Sequence, residues 1–161
     1  TIISLADKFD NLLGCFSLGL KPTSSSDPYA LRRQVLGIIK ILIKGKYALS
    51  LRDCFMACAN HFPSNIMRNK QEVVDEILAF ITNRIKTVFQ DYGFQKDEIE
   101  ASLAYGSNDI YDTFCRVKAL HEFRQQAKTQ FSSLYEVYKR AKGQLNGHHA
   151  TSVTQEWLVE P

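Results

Sequence analysis

Apolar residues recur along most of this chain at intervals of three and four, the spacing that gathers them on one face of an α-helix. Within residues 2–17, Ile3, Leu5, Ala6, Phe9, Leu12, Leu13 and Phe16 form such a stripe, and Gly19 marks its stop. The Gly, Pro, Thr and Ser residues of 19–26 predict a loop. Asp27 before Pro28 predicts an N-cap followed by proline at the first helical position, where its missing N–H costs nothing. That helix should run from 28 to about 43, with Leu31, Val35, Ile38, Ile39 and Leu42 on one face and Leu36, Ile41 and Ile43 extending it almost round the cylinder. So wide an apolar surface predicts a central helix, ended by Gly45.

Ser50 opens a shorter helix bearing Leu51, Phe55, Met56 and Ala59, which stops at Phe62-Pro63. A long helix follows over about 69–92, with Val73, Ile77, Phe80, Ile81, Ile85, Val88 and Phe89 inward and Gly93 at its C-terminal cap. Residues 97–103 predict a short helix. Residues 109–124 predict another, with Ile110, Phe114, Val117, Leu120 and Phe123 inward, and 129–145 a last one. Beyond Asn146-Gly147 and His148-His149 the periodicity breaks, and 151–161 reads as a poorly packed tail. No stretch alternates with period two and no internal repeat is evident, so the expected fold is all-α, an irregular bundle of about six to seven helices.

Composition narrows the class. A chain of 161 residues, 45% hydrophobic with ten Phe and seven Tyr, suffices for one compact domain or for one domain and a fragment of a neighbour, and argues against disorder. Twenty basic residues against seventeen acidic give a net charge of +3, too mild to imply nucleic acid by itself. Four cysteines without paired spacing or a signal peptide predict free thiols in a reducing compartment. No apolar run approaches the ~20 residues of a membrane helix, so the expectation is a soluble, cytoplasmic protein without membrane association. A start at Thr1 within a helix-like sequence suits an excised segment.

Few side chains suggest chemistry. Cys54 and Cys58 lie four apart with His61 within a turn, a spacing able to share a metal, but a second pair of ligands from another element is not apparent, and apolar packing is the expectation. His121 has no Ser or Cys nucleophile tied to it, since Cys115 is six residues away on a different face, and His148-His149 reads as a solvated loop. Gly-rich phosphate loops, H-E-x-x-H and G-x-S-x-G are all missing. The last third is biased toward basic residues, Lys118, Arg124, Lys128, Lys139, Arg140 and Lys142, with Tyr135 and Tyr138 interleaved. Cations beside aromatic faces suit RNA; a solvated helix face explains the same residues, and both readings stay open here.

The first 33 residues carry more. Leu5-Ala6-Asp7-Lys8-Phe9-Asp10, then Gly14, Phe16, Gly19, Lys21-Pro22-Thr23 and Asp27-Pro28-Tyr29-Ala30-Leu31-Arg32-Arg33, resemble the β subunit of bacterial glycyl-tRNA synthetase, or the β part of a fused version. Ser24 stands where that family has Gly after Pro-Thr, which bears on the turn geometry there. Agreement continues through Phe80, Arg84, Gly93-Phe94, Asp97, Ile99, Ala101, Arg116-Val117-Lys118-Ala119-Leu120, Phe123 and Lys139-Arg140.

The resemblance implies that residues 1–45 are the last helices of an HD-like domain, 46–145 a helical body, and 146–161 a tail leading to a missing anticodon-binding domain. It implies an enzyme that joins glycine to its tRNA with ATP and Mg2+, in which this part binds tRNA(Gly) and assembles with the α subunit or α region. No catalytic residue and no cofactor are expected in this fragment. Arg32, Arg33, Lys139, Arg140 and Lys142 are the tRNA-binding candidates; one of the two arginines is expected to pair with Asp7 or Asp10 instead. Asp7 is also a weak metal candidate, because residues 5–12 are similar to the last conserved helix of HD-type phosphohydrolases, although the further His and Asp ligands cannot be assigned. A degenerate metal-dependent phosphohydrolase and a purely structural helical spacer are the alternatives.

Overall fold

In the computed structural model, residues 1–145 apart from Ser24 and Ser64 are described. The Ser24 departure, His148-His149 and the tail of 146–161 lie outside the described residues. Seven helices are found there, α1 (Ile2–Ser17), α2 (Leu31–Gly45), α3 (Leu51–Ala59), α4 (Lys70–Asp91), α5 (Lys96–Ala104), α6 (Ile110–Gln126) and α7 (Lys128–Leu145), and no strand among the described residues, so the fold is all-α. The chain divides into two compact units, Thr1–His121 and a second beginning at Glu122.

In the first unit α4 is the hub, packing against α1, α2, α3 and α5. Its 22 residues span about 33 Å, length enough to serve four neighbours. This corrects the expectation that α2 is central: Leu36 and Ile41, which widen its apolar surface, are only half-buried at the margin of the core. The enclosed core joins Leu12, Leu13, Val35, Ile38, Ile39, Leu42, Phe55, Ile77, Ile81, Ile85 and Phe89. Phe80 is half-buried rather than enclosed, its ring 5.5 Å from that of Phe16, while Val74 is buried in addition to the expected α4 face. In α6, Ile110 and Val117 of the expected stripe are buried and Phe114 is half-buried, while Phe123 is 41% exposed; Thr113 is buried beside them, its hydroxyl donating to the Asp109 carbonyl at 2.6 Å. A threonine is tolerated there because that bond satisfies its polar atom.

Local chemistry sets the helix ends. After α1, Gly19 takes φ +73°, and the N–H groups of Gly19 and Leu20 donate to the carbonyls of Phe16 (3.0 Å) and Cys15 (2.8 Å), the paired bonds of a Schellman stop. Gly93 closes α4 the same way at φ +90°. Arg68 adds to the α1 stop by donating to the carbonyls of Phe16 and Ser17.

Two expected termini differ. Helix α2 begins at Leu31, not Pro28, because residues 27–30 form a turn closed by the Ala30 N–H on the Asp27 carbonyl, with Ala30 left-handed at φ 53°. Asp27 still caps, its carboxylate accepting from the N–H groups of Leu31 (2.8 Å) and Arg32 (3.0 Å). At the other end the left-handed residue is Lys46, not Gly45. Gly45 leaves room for the Tyr47 ring, which folds back over it where a Cβ would otherwise stand.

Candidate functional site

Helix α1 points Asp7 and Asp10 into a cleft of about 560 Å3 shared with Ala6, Cys58, His61, Phe62 and Pro63. Residues from the two metal-candidate sets thus meet in one place. Among the described residues, however, no three His, Cys, Asp or Glu side chains are grouped closely enough to hold an ion. The thiols suit that poorly too. Burial, then the charge of Asp10, pushes the Cys58 thiol up, and burial also raises Cys54, which adds to the cost of releasing the proton that a metal would displace. His61 donates from Nδ1 to the Ala57 carbonyl, and Asp7 accepts from the Asn11 amide at 3.4 Å.

The expected ion pair between Arg32 or Arg33 and the α1 carboxylates is not formed. Arg32 instead donates from its guanidinium to the Thr23 carbonyl, while its backbone N–H donates to the Asp27 carboxylate, so both ends of the residue are spent on the segment that precedes α2. Arg33 is exposed. Of the two, only Arg33 presents its guanidinium to solvent without a local tether among the described residues.

The basic candidates of the C-terminal helix are all exposed. Helical geometry separates them: Arg140 lies on one side, within 3.5 Å of Glu136, whereas Lys142 lies on another, 5.9 Å from the Tyr138 ring. Lys139 stands about midway between the two sides. Four basic residues and one acidic one occupy α7, which also exposes Leu134, Tyr135, Val137 and Tyr138 by 57–64%.

Sequence reasoning missed two constellations in the first unit. Glu98 is 2% exposed; its Oε2 accepts the Gln95 N–H at 2.9 Å and faces His121 Nδ1 at 2.9 Å. The Gln-x-x-Glu spacing signals the first interaction as a capping pattern, but nothing local signals a partner 23 residues on. Asn108 clamps the start of α3, its backbone carbonyl and side-chain Oδ1 accepting from the N–H groups of Leu51 and Arg52 while its amide donates to Ser50 Oγ. The first ties the start of α5 to the body of α6, and the second ties the start of α3 to the loop before α6. No helix among the described residues is long and apolar enough to cross a membrane.

A sequence profile of the glycyl-tRNA synthetase beta subunit matches residues 1–104. The glycine–tRNA ligase beta subunit of Syntrophomonas wolfei is 34% identical over 160 residues, covering 99% of this chain and 23% of that protein. The corresponding subunit of Desulforamulus reducens is 38% identical over 162 residues, again 99% and 23%. The glycine–tRNA ligase of Chlamydia pneumoniae is 38% identical over 149 residues, 88% of this chain and 14% of that protein. The chain therefore spans about a quarter or less of these relatives, and it belongs to the glycyl-tRNA synthetase beta subunit family.

Proposed function

We propose that this chain is a portion of a cytoplasmic glycine–tRNA ligase and serves it by binding tRNA and by assembling with the α subunit or α region. The observation that carries the reading is similarity to named beta subunits over 99% of the chain. Adenylate formation, with its ATP and Mg2+, is assigned to the α part, and residues 1–45 to the end of an HD-like domain. The isolated chain is expected neither to activate glycine nor to hydrolyse phosphoesters.

Binding of tRNA is assigned first to α7, whose four cations against one carboxylate favour a polyanion. Phosphate-binding side chains supply position and affinity, not adenylate chemistry. In the enzyme containing this chain, joint replacement of Lys139, Arg140 and Lys142 by Gln should raise the KM for tRNA while glycine-dependent ATP–pyrophosphate exchange stays near its original rate. Each lysine or arginine withdrawn from a phosphate should also flatten the salt dependence of tRNA binding by a slope of about 0.7 to 0.9. Unchanged KM and slope would reduce the helix to a spacer. Because Arg140 is engaged by Glu136 on the other side, the Lys139/Lys142 double variant should carry most of the effect.

A further inference from the structure

Where α6 gives way to α7, Arg124, Gln125, Lys128, Phe131 and Ser132 line a cleft of about 390 Å3. Four of the five end in hydrogen-bond donors, and two of those are cationic. Phe131 forms the apolar wall: the Arg124 guanidinium lies 5.8 Å from its centroid, and the Phe123 ring meets it edge-on at 5.9 Å. Tyr135 and Tyr138 follow Phe131 at four and seven residues along α7, so the three rings share one face over about 10.5 Å. The two tyrosines are 57% and 59% exposed. On the helical cylinder Lys128, Lys139 and Lys142 fall within about 80° of that line of rings.

We infer that this cleft and the ring line beyond it form a track for single-stranded RNA. The cleft takes a phosphate between Arg124, Lys128 and Ser132, and Phe131, Tyr135 and Tyr138 offer their faces to unpaired bases. The inference rests on the RNA-binding reading above and goes beyond it in naming the ligand. A duplex keeps its bases stacked inside and would meet only the cations, leaving three rings without a role, whereas unpaired bases stack on aromatic side chains in any sequence. Charge decides against an apolar protein surface, which would strip water from Lys128, Lys139 and Lys142 without returning a counter-charge.

The test uses fluorescein-labelled twelve-nucleotide oligouridylate and the matched oligoadenylate–oligouridylate duplex as probes, with anisotropy measured on the intact chain across a salt series. The single strand should bind more tightly than the duplex. Phe131→Leu should weaken single-strand binding about tenfold and leave duplex binding unchanged, Phe131→Trp should restore it, and Lys128→Gln should reduce the salt slope by about 0.7. Equal affinity for the two probes, a Phe131→Leu protein that binds like the original, or no binding of either probe would overturn the track. The tRNA KM of the Lys139/Lys142 variant in the complete enzyme separates the two readings. A raised KM beside an unaltered Phe131→Leu removes the single-strand track alone, and an unchanged KM removes the wider role.

Discussion

Leu12 and Leu134 are the same side chain in helices of similar length, yet Leu12 is fully enclosed and Leu134 is 61% exposed. Helix α1 presents a stripe of Leu and Phe to three other helices. Helix α7 carries a stripe at the same spacing, Phe131, Leu134, Tyr135 and Tyr138, whose members beyond Phe131 remain exposed. Periodicity thus establishes a face and says nothing of what covers it. What separates the two beforehand is chemistry: the α1 stripe is purely aliphatic and aromatic, while that of α7 substitutes tyrosines and is flanked by lysines that have to stay hydrated.

The largest effects come from truncating enclosed side chains and their exposed counterpart. Ile39→Ala, or Leu12→Ala, should destabilise the protein by about 2 to 5 kcal/mol in urea titration, since each empties a fully enclosed site. Leu134→Ala should stay within about 0.5 kcal/mol. A cost for Leu134 as large as that for Leu12 would mean that α7 packs on a surface of its own. Hydrogen exchange gives the same contrast without mutation: α4 amides should open only on global unfolding, whereas those of α7, lacking a packed face to add to propensity, should exchange much sooner.

Smaller effects belong to the helix ends. Gly45→Ala should cost about 1 to 3 kcal/mol, because its Cβ meets the Tyr47 ring, and most of that cost should vanish in a Gly45→Ala/Tyr47→Ala background. Asp27→Ala removes the acceptors of two first-turn N–H groups and should cost about 0.5 to 2 kcal/mol, with Asn, whose single amide oxygen can take only one of the two, recovering part of the cap. The weakest signal is electrostatic. A hydrogen bond from Lys21, aided by Arg68, holds the Glu76 carboxyl below the usual carboxylate range. A depressed pKa stabilises the fold above the unfolded-state value, and that stabilisation disappears as pH falls through the folded one. Glu76→Gln should therefore lower the melting temperature slightly at neutral pH, and the gap to the original protein should close on acidification below the ordinary glutamate pKa; solvent screening at this exposed cluster keeps it under about 1 kcal/mol.

Helix positions were largely legible in the sequence because apolar spacing and stop residues are local signals. Gly19 and Gly93 serve as the stops they suggest, and Ser50, which opens its helix in the sequence, is the cap of α3. Misreadings arose where a turn overrode the pattern: Pro28 belongs to a turn that Asp27 closes behind itself, and at the far end of α2 Lys46 takes the left-handed turn while Gly45 only makes room for a ring two residues on. Which helix becomes the hub depends on length and neighbours, so α2 looked central and α4 is. The candidate site was less legible. Its basic and aromatic residues were visible as composition, but their division into a Tyr138 side with Lys142 and a Glu136 side with Arg140 exists only once the helix is wound. Arg124 over Phe131 bridges two helices, and no short spacing announces it.

The turn between α1 and α2 also bears on time. Its Schellman bonds, the Asp27 carboxylate on Leu31 and Arg32, and Arg32 on Thr23 all connect residues fewer than ten positions apart. Interactions so near in sequence close quickly and need nothing that comes later in synthesis. During translation the first two helices are thus able to fix their mutual direction while the apolar stripes still await α4, which reaches them only after nearly another fifty residues have left the ribosome. Through that interval α1 and α2 keep their mutual direction while the apolar surface that α4 later covers is still open, the stage at which a chaperone has most to hold there.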